Sequence, residues 1–176
     1  MLISEVKKKM KEYTEILRSL YGENEEERVI RTAGNPIGDY GEWLASKKLE
    51  LVLYNNSEKS FDAYKEVERT RINYQIKSRQ KRIFPDSKGK QNLSRTLGII
   101  RKYDESDTEN KYLIAMFFDY DFSVLEGYQI PYKYLKEIGT ENSHQNGIVV
   151  NLSKAKIKKL IGEGKMKDIT EQLKGD

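Results

Sequence analysis

The sequence predicts an α/β domain, a central mixed β-sheet flanked by helices. Its elements run as a helix, a β-rich centre and then alternating helix and strand, an order that covers a mixed sheet with helices. Tyr112 to Phe118 (YLIAMFF) is an unbroken apolar run between charged residues, the pattern of a strand buried on both faces. Two strands near 61–67 and 71–78 lie close enough to pair as a hairpin. With 176 residues, 37% hydrophobic and 34% charged, a single domain over 1–176 accounts for the chain. Within it we expect an N-terminal helix at 1–21, a core at 36–162 and a C-terminal tail at 163–176.

Leu2, Val6, Met10, Tyr13, Ile16 and Leu17 recur at helical spacing and predict the first helix. An acidic link, Gly22 to Glu27, follows, and 28–34 reads ambiguously. Asn35-Pro36 starts the second helix, with asparagine as N-cap and proline at the first helical position. That helix, IGDYGEWLASKKL, presents Ile37, Tyr40, Trp43 and Leu44 to a core. LELVLY predicts a short strand ending at Asn55-Asn56, ahead of the hairpin. Residues 79–103 are polar and loop-like except TLGII at 96–100, a short helix or strand. After the buried run come a strand from Val124 to Ile130 closed by Pro131, a short helix at 132–138 and a polar loop around His144. Ile148 to Leu152 predicts the last strand, and Ser153 N-caps a basic helix, KAKIKKLIGEG.

What the chain lacks prunes the chemistry. It has no cysteine, which removes thiol nucleophiles, zinc fingers and iron–sulfur clusters. His144 is the only histidine, and no G-x-S-x-G elbow accompanies it, so it is left out of the site. Neither G-x-x-x-x-G-K-[ST] nor G-x-G-x-x-G occurs. No apolar run approaches the roughly 20 residues needed to span a bilayer. The N-terminus lacks the apolar core of a signal peptide, so a cytoplasmic protein with no membrane partner is expected. Any catalysis here rests on carboxylates, amides, lysines and a metal.

The net charge of +4 is unevenly spread. Lys77, Arg79, Lys81, Arg82, Lys88, Lys90, Arg95, Arg101 and Lys102 face a single acid, Asp86, a net of +8 across 77–102. Such a block suggests a polyanionic ligand, and a solvated lysine-rich loop is the alternative.

The hairpin carries the most legible chemistry, FDAYKEVERTRINYQIKSRQ from Phe61 to Gln80. A turn between Arg69 and Thr70 sets Asp62 opposite Lys77 and Tyr64 opposite Gln75. Gln75 and Lys77 then share one strand face, so Asp62, Gln75 and Lys77 converge across distances of ~4.5–8 Å. Arg-Thr is a poor two-residue hairpin loop, and a different turn would change this register. Magnesium takes about six oxygens and keeps several waters. Asp62 offers a charged oxygen, Gln75 an amide carbonyl and Ile76 a backbone carbonyl, with Glu42 on the preceding helix approaching directly or through water. Lys77 would orient an attacking water and stabilise phosphoryl charge. On spacing alone, Asp62 and Lys77 read equally well as a cross-strand ion pair on the surface.

A helix carrying GDYGEWLA, a strand, D-x12-Q-x-K on a hairpin and then a basic stretch resembles the PD-(D/E)xK nuclease superfamily. The likeness covers roughly 36–78 by motif and more loosely the strand at 112–118. It matches Glu42 to the family's helix glutamate, Asp62 to its metal-binding aspartate, and Gln75-Ile76-Lys77 to its (D/E)xK. Two positions depart from the pattern: Phe61 stands where proline is usual, and Gln75 replaces the second acid, as in some methyl-directed restriction enzymes and a transposon-end endonuclease. The resemblance implies a restriction-endonuclease-like core and a Mg²⁺-dependent endodeoxyribonuclease, with Mn²⁺ able to substitute. It implies nucleic acid as partner, DNA before RNA, in a restriction or mobile-element setting. Cutting both strands would need a homodimer or partner subunit. Arg79, Lys81, Arg82, Lys88, Lys90 and Arg95 are then the candidate backbone contacts, giving salt-dependent affinity without reading sequence. A catalytically weak or inactive nucleic-acid-binding module on the same fold is the alternative.

Overall fold

A computed structural model describes residues 3–21, 28–30, 35–55, 61–82, 88–90, 92–101 and 103–174. The expected link at 22–27, part of the ambiguous 28–34 stretch, and Asn56 lie outside them. The first helix, α1 (Ile3–Tyr21), and the second, α2 (Pro36–Leu49), form where their sequences predict. The Asn35 side chain caps α2 by accepting the Gly38 N–H at 3.3 Å. Glu50, in the left-handed region at φ 56°, ends the helix by donating its N–H to the Ser46 carbonyl.

The strands that follow are β1 (Val52–Leu53), β2 (Ala63–Val67), β3 (Thr70–Gln80), β4 (Thr96–Arg101), β5 (Lys111–Phe118) and β6 (Val124–Pro131). A 3₁₀ turn at Tyr132–Tyr134 leads into α3 (Leu135–Ile138). Then come β7 (Gly139–Asn142), β8 (Gly147–Asn151), α4 (Lys154–Gly162), β9 (Lys167–Asp168) and α5 (Thr170–Lys174). The Ser153 hydroxyl caps α4 by accepting the Lys156 N–H at 3.3 Å.

The main sheet has the order β1-β2-β3-β5-β6-β9, and a second sheet has the order β4-β8-β7. β3 and β5 run parallel while the other described pairs are antiparallel, so the sheet is mixed. β5 is its axis, and every residue from Leu113 to Phe118 is buried. Leu113, Ala115 and Phe117 join the core beneath the second sheet, α3 and α4. Ile114, Met116 and Phe118 join the core beneath α2 and α5. Both faces of β5 are covered, hence its unbroken apolar sequence.

The hairpin forms with a different register. Its turn is Glu68-Arg69, both at positive φ (49° and 69°), and it pairs Val67 with Thr70 and Ala63 with Tyr74. A two-residue turn with both residues left-handed matches the twist of paired strands, though these residue types are unusual in it. Asp62 therefore lies level with Gln75, not opposite Lys77 as expected. The slip is two residues, so each side chain keeps its face.

Two short segments resolve what was expected of them, and a third differs. TLGII is a strand, paired with β8. The loop around His144 is the turn of the β7–β8 hairpin. Residues 163–174 are not a tail: β9 pairs with β6, and Met166, Ile169 and Leu173 are buried. Gly127 leaves room for this segment, since a Cβ there would sit 2.3 Å from the Leu173 side chain.

Candidate active site

Asp62 sits where β2 leaves β3. Its N–H donates to the Tyr74 carbonyl (2.9 Å), and its own carbonyl accepts the Tyr54 N–H (3.0 Å). The backbone is thus pinned on both sides. Its Oδ2 accepts the Ile76 N–H at 2.6 Å and Gln75 Nε2 at 2.5 Å. A strand residue directs its N–H and its carbonyl to the same edge, so the Ile76 carbonyl also faces the gap where β2 departs. Lys77 follows two positions after Gln75 on the same strand face, about 7 Å along β3.

One wall of this site is aromatic. Tyr132 is 2% exposed, with ring centroids 5.6 Å from Phe61 and 5.0 Å from Tyr103. Burial, reinforced by the negative charge of Asp62, pushes the Tyr132 phenol far above its ordinary pKa. Tyr132 is therefore a neutral group within electrostatic reach of the Asp62 carboxylate.

The donors suit a hard divalent cation held by few protein atoms. One carboxylate, one amide and one backbone carbonyl are all oxygen ligands, and magnesium usually fills its remaining positions with water. Ligation by Gln75 requires its Oε1 to face the ion, whereas Nε2 faces Asp62 here. Among the described residues no group of three or more His, Asp or Glu could hold a metal. The site is thus poor in charge for a cation.

The structure gathers Asp62, Gln75 and the Ile76 backbone, puts Lys77 on the Gln75 face of the strand, and does not bring Glu42 to them. Glu42 is half-buried in the neighbouring layer. It follows Gly41, whose added Cβ would lie 1.9 Å from Ser78 Oγ, so α2 rests on the Tyr74–Ile76–Ser78 face. Gln75 and Lys77 point to the other.

The basic block divides in two. Arg79 donates to the carbonyls of Thr96 (2.8 Å) and Ser78 (3.0 Å), tying β3 to β4, and burial lowers its pKa. Arg95 forms a two-pronged pair with Glu126 and lies 4.7 Å over the Phe117 ring. Lys81 pairs with Asp119 at 3.3 Å. Arg82, Lys88 and Lys90 are exposed. Arg79, Lys81 and Arg95 are therefore engaged inside the protein.

Tyr132 and Glu126 were missed from sequence. Glu126 was detectable as the lone charge within the strand VLEGYQI, since a charge there calls for a buried partner. Nothing local marks Tyr132, which meets Asp62 only through the fold. No protein-family model matches the chain, and no curated protein matches it. Among the described residues no helix is long and apolar enough to cross a membrane.

Proposed function

We propose that this chain is a divalent-metal-dependent endonuclease hydrolysing DNA phosphodiester bonds, on a restriction-endonuclease-like core and in a cytoplasmic restriction or mobile-element setting. One observation carries the reading: Asp62 is held by the Ile76 N–H and Gln75 at the strand divergence, with Lys77 next along that face. Asp62, Gln75 and the Ile76 carbonyl would hold Mg²⁺ or Mn²⁺, without Glu42, which α2 carries on the opposite face of β3. Such an ion supplies charge neutralisation at phosphoryl oxygens and a more acidic water. Lys77 places an ammonium beside the scissile phosphate, where it orients the nucleophile and opposes developing charge. Arg82, Lys88 and Lys90 hold the DNA backbone. Cutting both strands takes two such centres, supplied by a second copy or a partner subunit.

A second reading, a nucleic-acid-binding module with little or no catalysis, is favoured by the Gln75–Asp62 hydrogen bond, which satisfies the carboxylate without a metal. Plasmid and oligonucleotide cleavage with Mg²⁺ or Mn²⁺, with EDTA as control, separates the two. Lys77→Ala and Asp62→Asn are expected to lower cleavage about 100-fold or more while DNA binding persists. Binding without cleavage of any substrate, unaltered by Lys77→Ala, selects the module.

A further inference from the structure

The main sheet ends in an exposed aromatic rim. β3 and β5 run parallel, and their pairing closes at Gln80 and Phe118. The turn after β5, Asp119 to Ser123, carries Tyr120 (55% exposed) and Phe122 (36% exposed). The Phe122 ring meets Tyr40 of α2 edge-on at 5.2 Å, and Tyr40 stacks with Trp43 at 5.8 Å. This rim lies on the α2 side of β3, opposite the face of Gln75 and Lys77.

The turn fixes its rings outward. Phe122 sits in the left-handed region at φ 68°, where a bulky side chain is strained and glycine is not. Asp119 donates its N–H to the Ser123 carbonyl at 2.9 Å. The Asp121 carboxylate accepts the Ser123 N–H at 3.0 Å and its hydroxyl at 2.6 Å. From β3, the Gln80 amide donates to the Tyr120 carbonyl at 2.9 Å. Rings held this firmly lose little freedom when a ligand stacks on them.

The charges beside the rings select the ligand. Lys47 follows Trp43 by one helical turn, and Arg82 follows Gln80 by two residues. Both are exposed and, among the described residues, neither has a carboxylate partner. Asp119 is paired with Lys81 at 3.3 Å, and Asp121 is turned back onto Ser123. The basic loop is rooted at the same place, where Arg82 donates its N–H to the Asn92 carbonyl at 3.3 Å. Ring faces bracketed by cations suit a strand that offers both free bases and phosphates. A duplex keeps its bases stacked on one another and offers such a rim only its phosphates. We infer that this rim binds an unpaired nucleic-acid strand, its bases stacked on Tyr120 and Phe122 and its phosphates held by Lys47 and Arg82.

This inference rests on nucleic acid being the partner, as proposed above, and not on cleavage, so it is read in EDTA. Trp43 is the only tryptophan of the chain and stacks behind Tyr40, so its emission reports on the rim. An oligothymidine of about 12 nucleotides should quench it and bind at least about tenfold tighter than an abasic strand or a blunt duplex of equal length. Tyr120→Ala and Phe122→Ala should each weaken oligothymidine binding about 5- to 100-fold and leave duplex binding unchanged. Tyr120 makes no ring contact among the described residues, so Tyr120→Ala should also leave the thermal midpoint in place. An abasic strand bound as tightly as oligothymidine, or oligothymidine binding unaltered by Tyr120→Ala, would overturn the inference. So would the absence of strand binding at about 100 µM, which would give the rim to a protein partner. A strand bound here but never cut refutes the endonuclease and leaves the rim's role intact, whereas cleavage without base-dependent binding does the reverse.

Discussion

Gln75 donates its amide to Asp62 at a position where a second carboxylate would repel Asp62 until a cation arrived. The amide satisfies the Asp62 carboxylate by itself and would weaken the hold on any ion bound there. Asp62, Gln75 and Lys77 were readable from sequence because strand geometry has a period of two, and the two-residue slip in register preserved their shared face. The internal partners of Arg79 and Arg95 were not readable because they lie far along the chain, at Thr96 and Glu126. The Arg95–Glu126 pair carries its own signature. The Arg95 hydrogen bonds hold the Glu126 carboxyl below its ordinary value of 4.5. A carboxylate with a lowered folded pKa stabilises above its unfolded value and loses that contribution as pH falls through the folded one. Glu126→Gln should therefore cost on the order of 1 kcal/mol above about pH 5, with the deficit shrinking as pH falls below about 4.5. Urea unfolding of both proteins between pH 3 and 7 measures this.

The contact that seats α2 on the sheet is between Gly41 and Ser78. A Cβ at position 41 would lie 1.9 Å from Ser78 Oγ and 3.1 Å from Met116 Cε, so glycine allows close approach there. Ser78 Oγ is buried and, among the described residues, has no hydrogen-bond partner. Gly41→Ala should push α2 off β3 and cost about 1–3 kcal/mol, partly recovered by adding Ser78→Ala, which removes the clashing and unsatisfied oxygen. Chemical denaturation of the two variants tests this. Long or capped elements such as α2, β5 and α4 were legible, since periodicity and capping residues are local signals. β7 and α5 were not: four- and five-residue elements have little intrinsic preference and form because β8 and the α2 layer give them a place to pack.

For the molecule as a whole, the basic segment is less available than its net of +8 suggests, because Arg79, Lys81 and Arg95 are already engaged. Neutralising Arg82, Lys88 and Lys90 together should reduce the slope of log affinity against log salt by about 2–3, with the thermal midpoint unchanged. Fluorescence anisotropy with a labelled duplex across a salt series reads that slope. The composition shows the excess of positive charge, but which cations remain outward is decided by tertiary pairing and had no local trace. The proposed activity rests on a cation that Asp62 would hold where the two strands part. Calorimetric titration with Mn²⁺ tests that claim most directly. The wild-type chain should bind one ion per centre, and Asp62→Asn should abolish that binding; equal binding by both proteins, or none by either, would contradict it.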